Sequence, residues 1–285
     1  MYINFVSELR IINNMNYIQR RQNVLAYRLS TGKRINSAAD DPAGFAISEK
    51  MKAQIRGLRQ AQRNVLDGIS LIQTAEGTMN EIHSVLQRMR ELAVQAANGT
   101  NTDEDRAKLN EEFQYLKESI SQFASNAEFN TEPILDGSKQ DKGNGINLQV
   151  GPNAGDMVEL VIGDMTAVGI GINYLDISTI DNATKAMESL DNAISIVSSQ
   201  RANLGAMQNR LEHTLSNLEN YEENLTAAES RITDADMAET MMEYTKNNML
   251  LMASQTILAQ SFKMKRQSIL MLLKSLDDSH DSDNI

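Results

Sequence analysis

A seven-residue repeat of apolar positions dominates the second half of the chain. From residue 187 to residue 232 large apolar side chains recur at every seventh position, with Met187, Ile194 and Leu215 at offset positions. The repeat consists of Leu190, Val197, Leu204, Leu211, Leu218, Leu225 and Ile232. It predicts one narrow apolar seam along a helix of about 70 Å, since each residue adds about 1.5 Å. A seam of that length needs partner helices of similar length.

Two upstream segments supply such partners. Apolar residues alternate spacings of three and four over 72–96 and again over 109–127, which is the pattern of a coiled-coil seam. Between them, residues 98–101 (NGTN) signal a turn, and Thr102 with Asp105 makes a capping-box start for the next helix. Short turns between long helices predict antiparallel neighbours.

Polar residues interrupt the long seam at Arg201, Gln208, Glu222 and Glu229. One interpretation is that these polar layers fix the register of the bundle or lie where it opens to solvent. The alternative is that they contact another subunit.

The ends of the chain also have helical patterns. Residues 3–29 keep the three-and-four spacing with Gln22 as a polar interruption, and 30–32 (STG) breaks it. Asp41 suits the N-cap and Pro42 the first position of the next helix, although two adjacent aspartates could also bind a cation.

A last helix after 232–236 carries Met241, Met249, Met252, Ile257, Phe262, Ile269 and Leu273. Composition predicts that 277–285 forms an acidic disordered tail.

Between residues 127 and 187 the apolar pattern changes from helical spacing to strict alternation of apolar and polar residues. Ile146, Leu148 and Val150 alternate with polar residues, as do Val158, Leu160 and Ile162 after the loop at 151–155 (GPNAG). This predicts a small β-hairpin. The fold class is therefore mainly α, an elongated antiparallel coiled-coil-like helical bundle with a small β-hairpin region and paired terminal helices.

Composition excludes several functions. The net charge is −11, which disfavours nucleic-acid binding, and the chain has no cysteine and three histidines, none with the i+4 partner of a helical zinc site. We find no nucleophile elbow or convergent catalytic set, so we expect no enzyme activity, catalytic residue, metal or cofactor. The start lacks a signal-peptide pattern and no apolar run is long enough for a membrane span, so we expect neither classical secretion nor membrane binding.

Several stretches resemble bacterial flagellins. The amino-terminal ones are 29–32 (LSTG), 40–44 (DDPAG), 67–77 (DGISLIQTAEG) and 86–95 (LQRMRELAVQ). The carboxy-terminal ones are 199–211 (SQRANLGAMQNRL) and 223–232 (ENLTAAESRI). The resemblance covers most of 28–135 and 185–260.

The resemblance implies a structural subunit that polymerises into the extracellular bacterial flagellar filament and supports motility. Residues 1–40 and 236–276 would form an inner-tube domain from paired terminal helices, and 41–235 a rod with its small β region at about 130–180. The family's partners are copies of the chain, an export chaperone, hook-junction proteins and a distal cap. Export would use the flagellar apparatus without a cleaved signal peptide.

Many flagellins are also recognised by an innate immune Toll-like receptor. By resemblance, the receptor contacts would fall on Arg88, Leu92 and Glu112; alternatively these are ordinary surface or packing positions. The chain departs from the family at its extremities, where 262–266 (FKMKR) replaces a Gln- and Pro-rich segment and 274–285 follow Leu273. A hook–filament junction protein, or a minor divergent flagellin, is therefore kept as the alternative.

Overall fold

The computed structural model describes residues 2–139 and 144–281, with side-chain packing over 8–139 and 144–271. The described part is mainly helical, as the sequence predicts, and carries two short antiparallel strand pairs, of which the sequence predicted one. The helices are α1 (Tyr2–Thr31), α2 (Pro42–Ala96), α3 (Asp103–Asn126), α4 (Ile180–Thr233) and α5 (Met237–Asp281). The strands are β1 (Glu128–Phe129), β2 (Glu132–Pro133), β3 (Ile146–Gln149) and β4 (Met157–Leu160).

Two compact units make up the chain. Met1–Lys52 and Thr226–Ile285 form one, here the terminal unit, and Ala53–Leu225 forms the other, here the central unit. The division falls inside α2 and α4, whereas the predicted domain boundaries at 40 and 236 follow the turns. No helix in the described part of the chain has the length and apolar character that a membrane crossing requires.

In the central unit α2 and α4 run antiparallel in a constant register. Three ion pairs link the two helices. From one pair to the next, the residue number on α2 decreases while that on α4 increases. They are Arg90 Nε to Asp191 Oδ1 at 2.6 Å, Glu76 Oε1 to Arg201 Nη2 at 3.8 Å, and Arg59 Nε to Glu222 Oε1 at 2.6 Å. This confirms the predicted antiparallel arrangement of the long helices.

The predicted seams form the core of this unit. On α4, Leu190, Val197, Leu204 and Leu211 are at most 1% exposed, and Leu218 is 8% exposed. The facing residues Ile72, Met79, Ile82, Leu86 and Met89 of α2 are fully buried. Each such side chain contributes roughly 1.5–3 kcal/mol of gross burial free energy, so the seam dominates the stability of the unit.

The predicted helix starts have the expected caps. The Asp41 carboxylate accepts a hydrogen bond from the Gly44 N–H at 3.0 Å, with Pro42 as the first residue of α2. Thr102 and Asp105 form a reciprocal capping box at the start of α3. Arg106, which the sequence did not single out, is buried and donates to the Ala96 and Asn98 carbonyl oxygens, satisfying acceptors at the end of α2.

The predicted hairpin is present as β3 and β4, paired antiparallel with Leu148 opposite Val158. It packs on α2, where the Asn64 amide donates to the Gln149 carbonyl oxygen at 3.1 Å. Gly68 gives the hairpin room, since a Cβ there would lie 2.5 Å from Leu148 Cδ1. The glycine in the middle of a long helix therefore permits a close approach, and α2 continues through it.

An extended segment after the hairpin is held against α3 by three side chains of that helix. Lys117 Nζ donates to the Asn173 carbonyl oxygen at 2.8 Å, and Gln114 donates to that of Leu175 at 3.1 Å. Asn110 accepts from the Ile177 N–H at 3.1 Å. Alternate backbone groups of the segment thus find partners at successive turns of α3, so it stays ordered without joining a sheet.

At the carboxyl end, α5 continues to Asp281. It therefore includes the first five residues of the stretch 277–285, for which composition predicted an acidic disordered tail. Residues 282–285 of that stretch lie outside the described residues.

Candidate assembly surface

The two turns that end α1 and begin α5 are hydrogen-bonded to each other. The Arg34 N–H donates to the Thr233 carbonyl oxygen at 2.6 Å, and the Ala235 N–H donates to that of Gly32 at 2.9 Å. Gly32 has φ +70°, a conformation that glycine adopts without strain. The reciprocal bonds bring the end of α1 and the start of α5 to the same level, so the two helices pair antiparallel from there.

A carboxylate organises the turn that follows α1. The Asp40 carboxylate accepts from the backbone N–H groups of Asn36 and Ser37 at 3.1 and 3.0 Å. These bonds lower the pKa of the Asp40 carboxyl below its usual value. Asp40 and Asp41 are thus used by their own turn and helix start, which supports the capping interpretation over a cation site.

The face of α1 toward α5 follows the predicted spacing. Ile18 and Leu25 are buried, and Ile11, Met15 and Leu29 are half-buried. Two polar residues lie in the same row, since Glu8 and Gln22 are 7% and 8% exposed. The contact between the helices is therefore only partly apolar.

The facing row of α5 is more polar still. Thr240, Asn247, Ser254 and Ser261 recur at every seventh residue, and the first two are buried while the others are half-buried. Leu251 and Leu258 supply the apolar positions between them. The buried Asn247 Nδ2 has no hydrogen-bond partner within the described residues. The row of Thr240, Asn247, Ser254 and Ser261 thus places small or polar side chains at every seventh position of the face of α5 that contacts α1.

Charged groups fix the pairing at both ends. Arg21 Nη2 lies 3.1 Å from Glu243 Oε1. Farther along, the Glu8 carboxylate accepts from Lys265 Nζ at 2.6 Å and from Ser261 Oγ at 2.7 Å. The hydrogen bonds from Lys265 and Ser261 lower the pKa of Glu8.

The methionines of α5 lie outside this pairing, whereas Leu251 and Leu258 lie within it. Met242 and Met249 lie about 150–170° around the helix from the row of Thr240 and Asn247, since successive residues turn by about 100°. We call the exposed surface of α5 that carries its methionines the outer face; it spans about half of the helix circumference, since Met237 and Met264 lie only three residues from Thr240 and Ser261 of the contact row. Its methionines are Met237, Met241, Met242, Met249, Met252, Met264 and Met271, each between 48% and 74% exposed. Met241, Met242, Met249 and Leu250 also line an open apolar groove of about 840 Å³.

Exposed apolar residues are concentrated in the terminal unit. Of the twenty-eight large apolar side chains that are exposed in the described residues, eighteen belong to it. Leu9, Ile12, Tyr17, Val24 and Tyr27 of α1 are among them. Soluble monomers rarely expose apolar side chains in such continuous groups, which typically mark interaction surfaces. The sequence predicted residual apolar surface here; the outward direction of the methionines could not be derived from it.

The three residues predicted as receptor contacts lie in the central unit. Arg88 Nη2 lies 2.9 Å from Glu112 Oε1, and both side chains are about half exposed. The bond from Glu112 raises the pKa of Arg88. Leu92 is 1% exposed and belongs to the core, so in the monomer its side chain offers no surface to a partner. Whether the three contact a receptor stays a prediction.

The polar layers of α4 have partners within the chain. Glu222 accepts from Arg59 and from Gln62 at 2.6 and 2.9 Å, which lowers the pKa of its carboxyl. Arg201 pairs with Glu76, as described above. In the terminal unit Glu229 lies 3.9 Å from Lys52, and Gln208 of the central unit donates to Glu212. The contacts of Glu222, Arg201 and Glu229 cross to α2 and favour a role in register, whereas that of Gln208 stays within α4.

Within the described residues, no group of three or more His, Cys, Asp or Glu side chains is placed to hold a metal ion. His83 is half-buried, and its Nε2 lies 3.0 Å from the Gln87 amide.

Comparison with known proteins matches both halves of the chain. The family model for the bacterial flagellin N-terminal helical region matches residues 4–140, and the model for the bacterial flagellin C-terminal helical region matches 187–273. Flagellin of Halalkalibacterium halodurans is 53% identical over 249 residues, covering 87% of this chain and 90% of the relative. The flagellar filament core protein flaB2 of Brachyspira hyodysenteriae is 42% identical, covering 92% and 99%.

A solved structure shares the fold at low identity. It is that of a candidate flagellar hook-associated protein of Vibrio parahaemolyticus, with a TM-score of 0.57 and 16% identity. The match covers 68% of this chain and all of the other. At that identity the likeness concerns the fold alone.

Proposed function

Because the chain belongs to the bacterial flagellin family, we propose that it is a subunit of the flagellar filament that polymerises through its terminal unit. The observation that carries this proposal is the distribution of apolar side chains in the α1–α5 pair. The contact between the helices mixes apolar residues such as Leu25 with a polar row on α5, while seven methionines and other apolar residues face water. Neighbouring copies would cover that surface.

In this proposal the outer face of α5 packs against a different surface of the next copy, namely the exposed apolar residues of α1 such as Leu9, Ile12 and Val24. A contact between two different surfaces generates a ring or, when the rotation does not close, a helical filament. Apolar burial along both helices supplies the free energy, at roughly 25 cal/mol for each Å² covered.

The family resemblance supports a wider set of partners. An export chaperone that holds the carboxy-terminal helix would cover the outer face of α5 before assembly, and hook-junction and cap proteins would contact subunits at the two ends of the filament. In this proposal the subunit leaves the cell through the flagellar export apparatus without a cleaved signal peptide and resides in the extracellular filament.

Point variants of the outer face test the proposal. We expect Met242→Glu with Met249→Glu to lower the yield of seeded polymer more than tenfold, since burying unpaired carboxylates costs well above about 1.4 kcal/mol. Sedimentation and negative-stain imaging measure the yield. The matched control is Tyr174→Glu in the central unit, at a side chain 94% exposed, which should polymerise like the parent.

Two outcomes would contradict this function. Unchanged polymer yield in the double variant would exclude the outer face as the contact surface. Assemblies of the parent chain that stay short at every concentration, even with seeds, would favour the alternative of a hook–filament junction protein.

The receptor proposal is independent of polymerisation. Arg88 and Glu112 present an exposed ion pair at which a charged partner could exchange contacts, with Leu92 packed beneath. We expect Arg88→Ala with Glu112→Ala to lower the response in a Toll-like receptor reporter assay. An unchanged response would remove these residues from the proposal. Arg90→Ala, which removes the neighbouring pair with Asp191, is the matched control.

A further inference from the structure

Methionine is distributed very unevenly between exposed and buried positions. The chain has sixteen, and the seven on the outer face of α5 are 48–74% exposed. In the central unit Met79 and Met89 are fully buried and Met165 is 2% exposed, while Met157 on β4 is 56% exposed. The surface proposed to be covered on assembly is thus the part of the described chain where thioether sulfur is concentrated and accessible.

We propose that the outer face of α5 is an oxidation site, at which peroxides convert the methionine thioethers to sulfoxides and so prevent the free subunit from polymerising. The inference rests on the proposed function for its effect on assembly. The site-selective oxidation rests only on the exposure of the seven side chains.

The reaction requires no reagent beyond the peroxide. A sulfur lone pair attacks one oxygen of hydrogen peroxide, the S–O bond forms and the O–O bond breaks. The departing hydroxide takes the proton from the transferred oxygen and leaves as water. The sulfur is oxidised by two electrons and the peroxide is reduced by two, and the product is a neutral sulfoxide.

The product is incompatible with an apolar contact. A sulfoxide oxygen is a strong hydrogen-bond acceptor. Six of the eight residues that line the groove are methionine, leucine or alanine, so among these eight side chains only Thr245 and Lys246 could donate to the several sulfoxides of one chain. Burying each unsatisfied sulfoxide weakens the contact on the order of tenfold. Because the side chains repeat along one helix, a subunit with several sulfoxides is excluded from the polymer.

Accessibility decides which methionines react. Sulfoxide formation follows the exposure of the sulfur, so the seven outer-face residues and Met157 should react first. Met79 and Met89 lie in the fully buried core of the central unit and should react last, at rates lower by about tenfold or more. Once subunits have assembled, the outer-face methionines should become protected.

The decisive experiment uses the full-length chain and hydrogen peroxide. Subunits oxidised to about one sulfoxide per chain are seeded, and mass spectrometry then measures sulfoxide at each methionine in the polymer and in the soluble fraction. We expect outer-face sulfoxides to be depleted from the polymer at least about fivefold. Sulfoxide at Met157 should be distributed evenly. An equal content of outer-face sulfoxide in both fractions would overturn the inference.

A variant series gives an independent readout. Replacing the seven outer-face methionines by leucine keeps their volume and removes the oxidisable sulfur. This variant should polymerise after a peroxide treatment that stops the parent, whereas the control Met157→Leu should be as sensitive as the parent. If the sevenfold variant fails to fold, the triple variant Met241→Leu, Met242→Leu, Met249→Leu should retain part of the polymer yield after treatment. Full sensitivity in a folded variant would count against the inference.

Failure of this inference differs from failure of the proposed function. If untreated subunits do not polymerise with seeds, the proposed function is wrong and the effect on assembly falls with it. If untreated subunits polymerise and oxidised ones do so equally well, only the oxidation site is wrong.

Discussion

The central and terminal units both pair long antiparallel helices, yet they differ in how much of their apolar surface lies between those helices. In the central unit the seam of Leu190, Val197 and Leu204 faces inward and is closed to water. In the terminal unit Leu25 of α1 is buried, but the facing row of α5 carries Thr240 and Asn247 and the methionines of α5 are exposed. The comparison shows that a helical pair can form while much of its apolar surface is still exposed to water.

The kinds of residue differ as well. The central seam of α4 uses leucine and valine, whose defined shapes favour one packing arrangement. The outer face of α5 uses methionine, whose flexible and polarisable side chain adapts to irregular partners. A surface that meets several partners in turn, as proposed for α5, benefits from that adaptability.

The largest expected difference between the units comes from truncating a large side chain. Leu86→Ala removes a fully buried side chain of α2 and should lower the free energy of unfolding by about 2–5 kcal/mol. Met242→Ala, at a side chain 68% exposed, should change it by less than about 0.5 kcal/mol. Urea unfolding of the monomer, followed by circular dichroism, measures both. Equal losses would mean that the outer face is already packed in the free subunit.

A smaller effect is expected from making the terminal pairing apolar. Asn247→Leu removes a buried amide whose Nδ2 is unpaired within the described residues, and should stabilise the α1–α5 pair by about 1–3 kcal/mol. Hydrogen exchange of the α1 amides measures this stability. Asn224→Leu, at an exposed position of α4 in the central unit, is the matched control and should have little effect. Faster exchange in Asn247→Leu would show that the polar row stabilises the pairing.

The smallest expected effect is the dependence of the α1–α5 pairing on low pH through Glu8. The pKa of Glu8 is lower in the folded chain because Lys265 and Ser261 donate to it, so its contribution is present above about pH 4.3 and is lost as the pH falls through the folded pKa. Glu8→Gln should therefore reduce the acid sensitivity of hydrogen exchange in α1, after correction for intrinsic rates.

Glu222→Gln provides the comparison in the central unit. The pKa of Glu222 is lowered by Arg59 and Gln62, so this variant should reduce acid sensitivity in the neighbouring turns of α2 and α4 and leave α1 unchanged. If both variants alter the same amides, the two carboxylates do not act locally.

Local signals in the sequence were sufficient for much of the fold. The caps at Asp41 and Thr102, the seam of α4 and the hairpin around Leu148 each depend on residues close together in the chain. Their spacing determines the structure through helix and strand periodicity. The family motifs placed the chain among flagellins for the same reason, because they are contiguous.

The direction in which the apolar face of α5 points could not be predicted from the sequence, because it depends on which helix lies opposite. Apolar periodicity identifies a stripe, and a stripe is normally expected to face the nearest neighbour. Here α1 contacts a narrow row that includes Asn247, and the broader methionine stripe is left outside. The sequence left open whether Leu92 is a receptor contact or a packing position, and the structure buries it. Both answers require knowing which helix lies opposite.

The reciprocal bonds between the Arg34 and Thr233 backbone, and between Ala235 and Gly32, have a consequence for how the terminal helices evolve. They make the phase of α5 relative to α1 depend on the number of residues in two short turns. One residue inserted between these bonds and the contact row, and added to the first turn of α5, would rotate the rest of the helix by about 100° and carry Met242 or Met249 toward α1. The number of residues between the hydrogen-bonded turn and the contact row of α5 therefore matters more than their identity. One added residue there would bury the methionines within the subunit and remove the surface proposed for polymerisation.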